Sequence, residues 1–127
     1  MGRPNRLMGT LVLPPPELAP TFIGGTLGAL TLDGVGPGDL QLDLLQAVVD
    51  RFGGAAAHPV REVEPCDAST VRERITDPAL LHQLANLVIV LELTLHPLAP
   101  ELERHAERFL LEAGVHSSYL SIVRDTA

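Results

Sequence analysis

Lysine is missing from this chain of 127 residues: all nine basic residues are arginine. Without a lysine amine there is no Schiff-base chemistry, no pyridoxal phosphate attachment and no phosphate-binding loop of the Gly-Lys-Ser/Thr kind. Cysteine is nearly as scarce. Cys66 stands alone, which excludes an intrachain disulfide and a thiolate-rich zinc or iron–sulfur site, and a reducing cytoplasm fits that usage. Long hydrophobic runs are also missing. The longest, residues 84–95, is interrupted by Asn86, Glu92 and Thr94 and falls short of the roughly 20 residues a membrane helix requires. Positive charge is in short supply too. Sixteen acidic residues against nine basic ones give a net charge of −7, shared as −3 over residues 1–66 and −4 over residues 67–127. That balance argues against nucleic acid as a partner.

What is present is a chain 46% hydrophobic, with room for one domain that buries roughly two-thirds of its unfolded surface. Arg3 and Arg6, followed by the apolar residues 7–13, imitate a secretion signal, but the run is short and ends in Pro14-Pro15-Pro16 without a small-residue cleavage site. Residues 1–16 therefore read as an extended proline-containing arm, and residues 17–127 as a single helical domain.

No segment alternates apolar and polar residues for long, so the predicted fold is all-α, with about six helices, two of them short. Residues 17–32 form the first, and Gly24, Gly25 and Gly28 make a glycine face that lets another backbone come close. After the turn at residues 33–38, with Pro37 as its first helical position, a second helix runs to about Phe52. Its expected buried face is Leu40, Leu44, Val48 and Phe52, with Leu45 and Val49 beside them and Asp39, Asp43, Asp50 and Arg51 opposite. Gly53-Gly54 stops it, and residues 55–66 form a loop with room only for short structure. Asp67 caps a short helix to about Ile75. Asp77-Pro78 opens the central helix, whose stripe of Leu80, Leu81, Leu84, Leu87, Val88, Leu91 and Leu95 is wide enough for burial. His96-Pro97 ends it. A fifth helix, 99–113, is closed by Gly114, and Ser117 or Ser118 caps a last one to about Arg124.

Helices one and two, and helices four and five, read as two imperfectly repeated pairs: apolar helix, proline-containing turn, amphipathic helix, glycine stop. Val35-Gly36-Pro37 aligns with Leu98-Ala99-Pro100 at an offset of 63, Asp39-Leu40 with Glu101-Leu102 at 62, and Gly53 with Gly114 at 61. Asp33-Gly34-Val35 with Asp39 after an apolar helix resembles the TerB-like domains, the helical family named after tellurite-resistance proteins. That resemblance covers about residues 17–126. It implies a compact all-helical fold, a link to metal-stress complexes, and divalent-cation binding (Ca²⁺ or Mg²⁺) by the acids at the turn, here Asp33 and Asp39. The second turn departs from the pattern, with Leu95-His96-Pro97 in place of Asp-Gly and Glu101 alone. The arrangement is also similar to the accessory helical module that precedes catalytic regions in some ubiquinone-biosynthesis-like bacterial proteins, of an actinobacterial type.

The residues themselves offer a few constellations, each beside a plainer reading. Asp33, Asp39 and Asp43 with the glycine carbonyls of residues 34–38 could supply some of the oxygens a hard cation needs, whereas a turn residue and a helix cap explain them without one. Glu92 and His96, four apart, could be a proton-transfer or ligand pair in a helical pocket. On the plainer reading Glu92 emerges at the surface with Asn86 and Ile89, and His96 finishes the helix as a favourable cation. Glu103 with Glu107 and Arg104 with Arg108 form same-sign rows that could meet a partner of mixed charge, or a solvated face. Cys66, flanked by Glu62, Glu64 and Asp67, should be an unreactive thiol. Neither Glu-x-x-His, His-Glu-x-x-His nor Gly-x-Ser-x-Gly occurs, and Gly34-x-Gly36-x-Gly38 has the wrong spacing for a dinucleotide loop.

The expectation is therefore a non-enzymatic, cytoplasmic helical domain of TerB-like type, acting through protein contacts or with a second copy of itself. It would carry no cofactor beyond a weak cation site at Asp33 and Asp39, and would not insert into membranes. The alternative is a small enzyme or catalytic accessory subunit using Glu92 and His96.

Overall fold

The computed structural model describes Pro15 and residues 17–53, 59–93 and 100–126. The N-terminal arm, apart from Pro15, and the His96-Pro97 turn lie outside the described residues. Among the described residues six α-helices follow in order: α1 (Ala19–Ala29), α2 (Asp39–Gly53), α3 (Ala68–Arg74), α4 (Pro78–Glu92), α5 (Pro100–Ala113) and α6 (Ser117–Thr126), with a 3-10 turn at Val60–Glu62. The chain is all-α as its periodicity requires. Among the described residues the one extended pairing is an isolated bridge between Leu32 and Val35.

Three glycines weaken α1 by roughly 1 kcal/mol each relative to alanine, a cost only packing can offset. The packing is backbone against backbone. The segment at residues 64–66 lies directly on the glycine face, and the Cys66 N–H donates to the Gly24 carbonyl at 2.8 Å. A Cβ on Gly24 would stand 2.6 Å from the Glu64 carbonyl oxygen and 2.7 Å from Cys66 Sγ, and one on Gly28 would collide with the Cys66 carbonyl oxygen. Gly25 admits Val71 and Leu84 in the same way. The close approach expected of this face is thus made by the strap that leads into α3, and α1 is buried from Thr21 to Ala29.

Around α1 stand α3, α4 and α5, and α4 also touches α2 and α6. The α4 stripe forms the centre, with Leu80, Leu81, Leu84, Val88 and Leu91 buried and Leu87 half-buried. Several helix ends have an identifiable cap or stop. Asp67 accepts from the Thr70 N–H at 2.9 Å and Asp77 from the Ala79 N–H at 3.0 Å, both at the expected caps. Gly114, at φ 113°, closes α5 with Val115 N–H donating to the Leu110 carbonyl at 2.9 Å, a Schellman arrangement that needs a residue tolerant of positive φ. At α6 the cap is one residue earlier than the serines: His116 Nδ1 accepts from the Ser118 N–H at 3.1 Å. A ring nitrogen can take the place of a serine hydroxyl there because it reaches the same orphan donor.

Helix α2 departs most from expectation. It begins at Asp39, two residues past Pro37, and it is rotated relative to the face read from its leucines. Leu40 and Leu44 are 60% and 39% exposed, while Gln41 and Leu45 are the buried positions at 3% and 1%. Gln41 explains the rotation. Its Oε1 accepts from the Gly38 N–H at 3.1 Å, the return half of a capping box, and its Nε2 donates to the Leu91 carbonyl at 2.7 Å. One side chain therefore starts α2 and ties it to the last turn of α4, whose terminal carbonyls lack helical donors. The repeated pairs consequently occupy unlike places: α5 packs on α1 and α3, whereas α2 lies against α4 and the 3-10 turn.

Two substitutions test this frame. Gly28→Ala gains roughly 1 kcal/mol of helix propensity but overpacks against backbone, typically a loss of about 1–3 kcal/mol or more, so a net drop in denaturant stability is expected. Gln41→Ala should lose about 1–3 kcal/mol, and Gln41→Glu more at neutral pH, since a carboxylate cannot donate to the Leu91 carbonyl; chemical denaturation of both variants measures this.

Candidate functional site

Two surfaces come from the packing just described: a cleft beside α1 and the outer face of α2. The cleft, of about 470 Å³, opens between the end of α1, the strap and α5, and is lined by Gly28, Thr31, Cys66, Asp67, His105, Arg108, Phe109 and Glu112 among others. Its polar groups are mostly engaged in structure. His105 Nε2–H donates to the Gly28 carbonyl at 3.1 Å, the tautomer being set by a carbonyl that can only accept. Thr31 Oγ1 donates to the Leu27 carbonyl at 2.7 Å, so both side chains close the C-terminal end of α1. Asp67 is the α3 cap, and its bonds from Thr70 and Ser69 hold its carboxyl below the usual carboxylate range. Burial, and then the Asp67 charge, push the Cys66 thiol up, with Arg74 opposing. The cleft thus presents a neutral thiol and an imidazole already committed to a carbonyl, with Arg108 and Glu112 on the α5 side.

The outer face of α2 is different in kind. At 100° per residue its solvent-facing arc carries two stripes side by side. Asp39, Asp43 and Asp50 form one, and Leu40, Leu44 and Ala47 the other, which ends at Arg51, all exposed. Arg61, from the 3-10 turn, reaches the acidic stripe, 3.0 Å from Asp43 and 3.4 Å from Asp39. The bond to Asp43, ahead of that to Asp39, raises the guanidinium above its ordinary value. Gln46 holds the same turn from the other side, its Oε1 accepting from the Val60 N–H at 2.8 Å while its Nε2 donates to Asp50 at 2.9 Å. Val35, 72% exposed, lies just before the helix, and the Gln41–Leu91 bond brings the C-terminal end of α4, with exposed Leu93, to the same end of the fold.

The residues singled out by sequence separate. Asp33 and Gly34, at φ 54° and 79°, are the two central residues of a turn closed by reciprocal Leu32–Val35 bonds of 2.9 and 3.0 Å. That primed hairpin turn requires positive φ at both positions, which Asp-Gly supplies. Asp39 meets Arg61. Among the described residues no group of three or more His, Cys, Asp or Glu side chains converges as a metal centre. Glu92 does not emerge at the surface. It is wholly buried, as is Ile89, because the α4 stripe continues around the helix where it meets its neighbours, while Asn86 stays exposed and accepts from Tyr119 Oη at 2.8 Å. His96 lies outside the described residues, and Glu92 is not among the residues lining the cleft. On α5, Arg104, Glu107 and Arg108 are exposed and Glu103 is half-buried; of the four, only Arg108 reaches the cleft.

Two features escaped sequence reasoning. Gln41 had a signal in its place three residues after Gly38 and four before Leu45. The stack of His82 on Tyr119, with ring centroids 3.8 Å apart and planes 6° apart, joins α4 to α6 and had none. No helix of the described residues is long and apolar enough to cross a membrane. Compared with protein-family models, with curated proteins and with solved structures, the chain matches none.

The Asp67 cap gives a pH prediction. Its folded pKa lies below its unfolded value, so the stabilisation is present at neutral pH and is lost as pH falls below the ordinary carboxylate range and through the folded value. Asp67→Asn, which keeps the acceptor but not the charge, should lower the neutral Tm less than Asp67→Ala does and melt with a shallower acid slope. A Tm series from pH 7 to pH 2 reads both.

Proposed function

We propose that this chain is a non-enzymatic helical interaction domain of TerB-like type, working in the cytoplasm, whose contact surface is the outer face of α2. The observation that carries the reading is the rotation of α2, which buries a glutamine and turns Leu40 and Leu44 outward. A helix with apolar residues on both its inner and outer arcs normally packs on both. An exposed row of this kind, rimmed by polar groups, is the usual mark of a contact surface.

The TerB-like assignment is supported by Asp33-Gly34-Val35 and Asp39 in an all-helical setting, and it indicates fold more than activity. The engagement of the cleft's polar groups supports the non-enzymatic reading. A Ca²⁺ or Mg²⁺ ion at Asp39 would compete with the Arg61 guanidinium, so the proposal makes no use of one. The α5 set of half-buried Glu103 with exposed Arg104, Glu107 and Arg108 remains an adjunct, since exposed charges contribute little compared with buried apolar anchors.

Photo-crosslinking tests the reading. A benzophenone amino acid at position 44 should give a discrete adduct in cells of the native host, abolished by Leu40→Glu, whereas the same probe at position 72 on α3 should give none. Absence of an adduct at position 44, or equal adducts from both positions, contradicts it.

A further inference from the structure

From the stripes on α2 we infer the chemistry of the partner: a basic amphipathic helix whose leucine-like side chains lie along Leu40, Leu44 and Ala47 and whose arginines or lysines face Asp39, Asp43 and Asp50. This rests on the reading of the outer face as a contact surface. The acidic stripe and the apolar stripe run parallel on one helix, so a second helix laid alongside meets both at once. Around them the exposed charges are Asp33, Asp39, Asp43, Asp50 and Glu62 against Arg51 and Arg61, a local excess of carboxylate. The structure already shows what this stripe takes. Arg61 places one guanidinium between two carboxylates at 3.0 and 3.4 Å, on side chains that are 68% and 93% exposed. Exposed pairs of this kind are weak and exchangeable, so an incoming guanidinium that also brings apolar contact displaces Arg61 at little cost.

The same arrangement disfavours the other occupants. A second copy of the chain would bring a like-charged stripe against this one, in a protein of net charge −7, and an anionic lipid surface would be repelled by the carboxylates. A basic helix gains from both stripes, with the charges setting on-rate and orientation and the leucines the residence time.

The test uses the full chain and two fluorescent helical peptides of about 18 residues, each with leucines at three- and four-residue spacing, one flanked by arginines and the other by glutamates. The arginine peptide should bind. Asp39→Asn/Asp43→Asn should weaken it about tenfold, as should raising the salt to about 0.5 M. Leu40→Ser/Leu44→Ser should remove binding. Arg61→Gln, which frees the two carboxylates, should tighten binding several-fold, a gain no loss of structure could produce.

Equal binding of the two peptides, or indifference to both Arg61→Gln and Asp39→Asn/Asp43→Asn, overturns the basic partner while leaving the contact surface in place. Binding of neither peptide overturns it too, and the position-44 adduct then shows separately whether the surface itself stands. Sedimentation showing dimers lost in Leu40→Ser/Leu44→Ser assigns the face to a second copy and overturns the inference. Circular dichroism melts of each variant confirm that the fold is intact.

Discussion

The approach of the residue 64–66 strap to the glycine face of α1 is the constraint from which the rest of the architecture follows. A strap lying on a helix face that itself carries no side chains fixes where α3 starts, because Asp67, the cap of α3, follows Cys66 directly. It also fixes the depth of α5, since a Cβ on Gly28 would meet Phe109 at 3.0 Å as well as the strap. The hydrogen bond from Cys66 to Gly24 adds direction to a contact that is otherwise shape alone. Cys66 is retained here as a small, neutral group between two backbones, and its raised pKa follows from the same burial.

Helix α2 stands outside that packed set. It is attached through Leu45, burial of which is worth about 1.5–3 kcal/mol, with the half-buried Leu42 and Val49 packed beside it, through the Gln41 clamp to α4, and through the Gln46 and Arg61 contacts to the 3-10 turn. Polar attachments of this kind orient a helix without consuming its apolar surface. Leu40 and Leu44 are thereby left uncovered, and this is what supports the binding role proposed for α2.

The legibility of the fold in the sequence follows the strength of local signals. The Asp77 cap with Pro78 after it, the α4 stripe, the Gly114 stop and the glycine face of α1 were all readable because each has a single dominant local cause. Helix α2 was misread because Leu40, Leu44, Leu45, Val48 and Val49 form an arc wider than any one face, and periodicity cannot say which half is covered. A long-range bond between residues 41 and 91 decided it. Of the two readings of Glu92, the surface one fails for a related reason: α4 is surrounded on more than one side, so even the carboxylate of this apolar helix is buried. The site was legible only in its ingredients, Asp39, Asp43, Leu40 and Leu44, whose arrangement into parallel stripes depends on that rotation.

Residue-resolved amide hydrogen exchange on the intact chain tests this division most directly. Cys66 and the inner amides of α1, α3 and α5 should exchange only through global unfolding, while α2 should exchange through a local opening of lower free energy that leaves them protected. Protection of α2 equal to that of α1, or rapid exchange at Cys66, would contradict it.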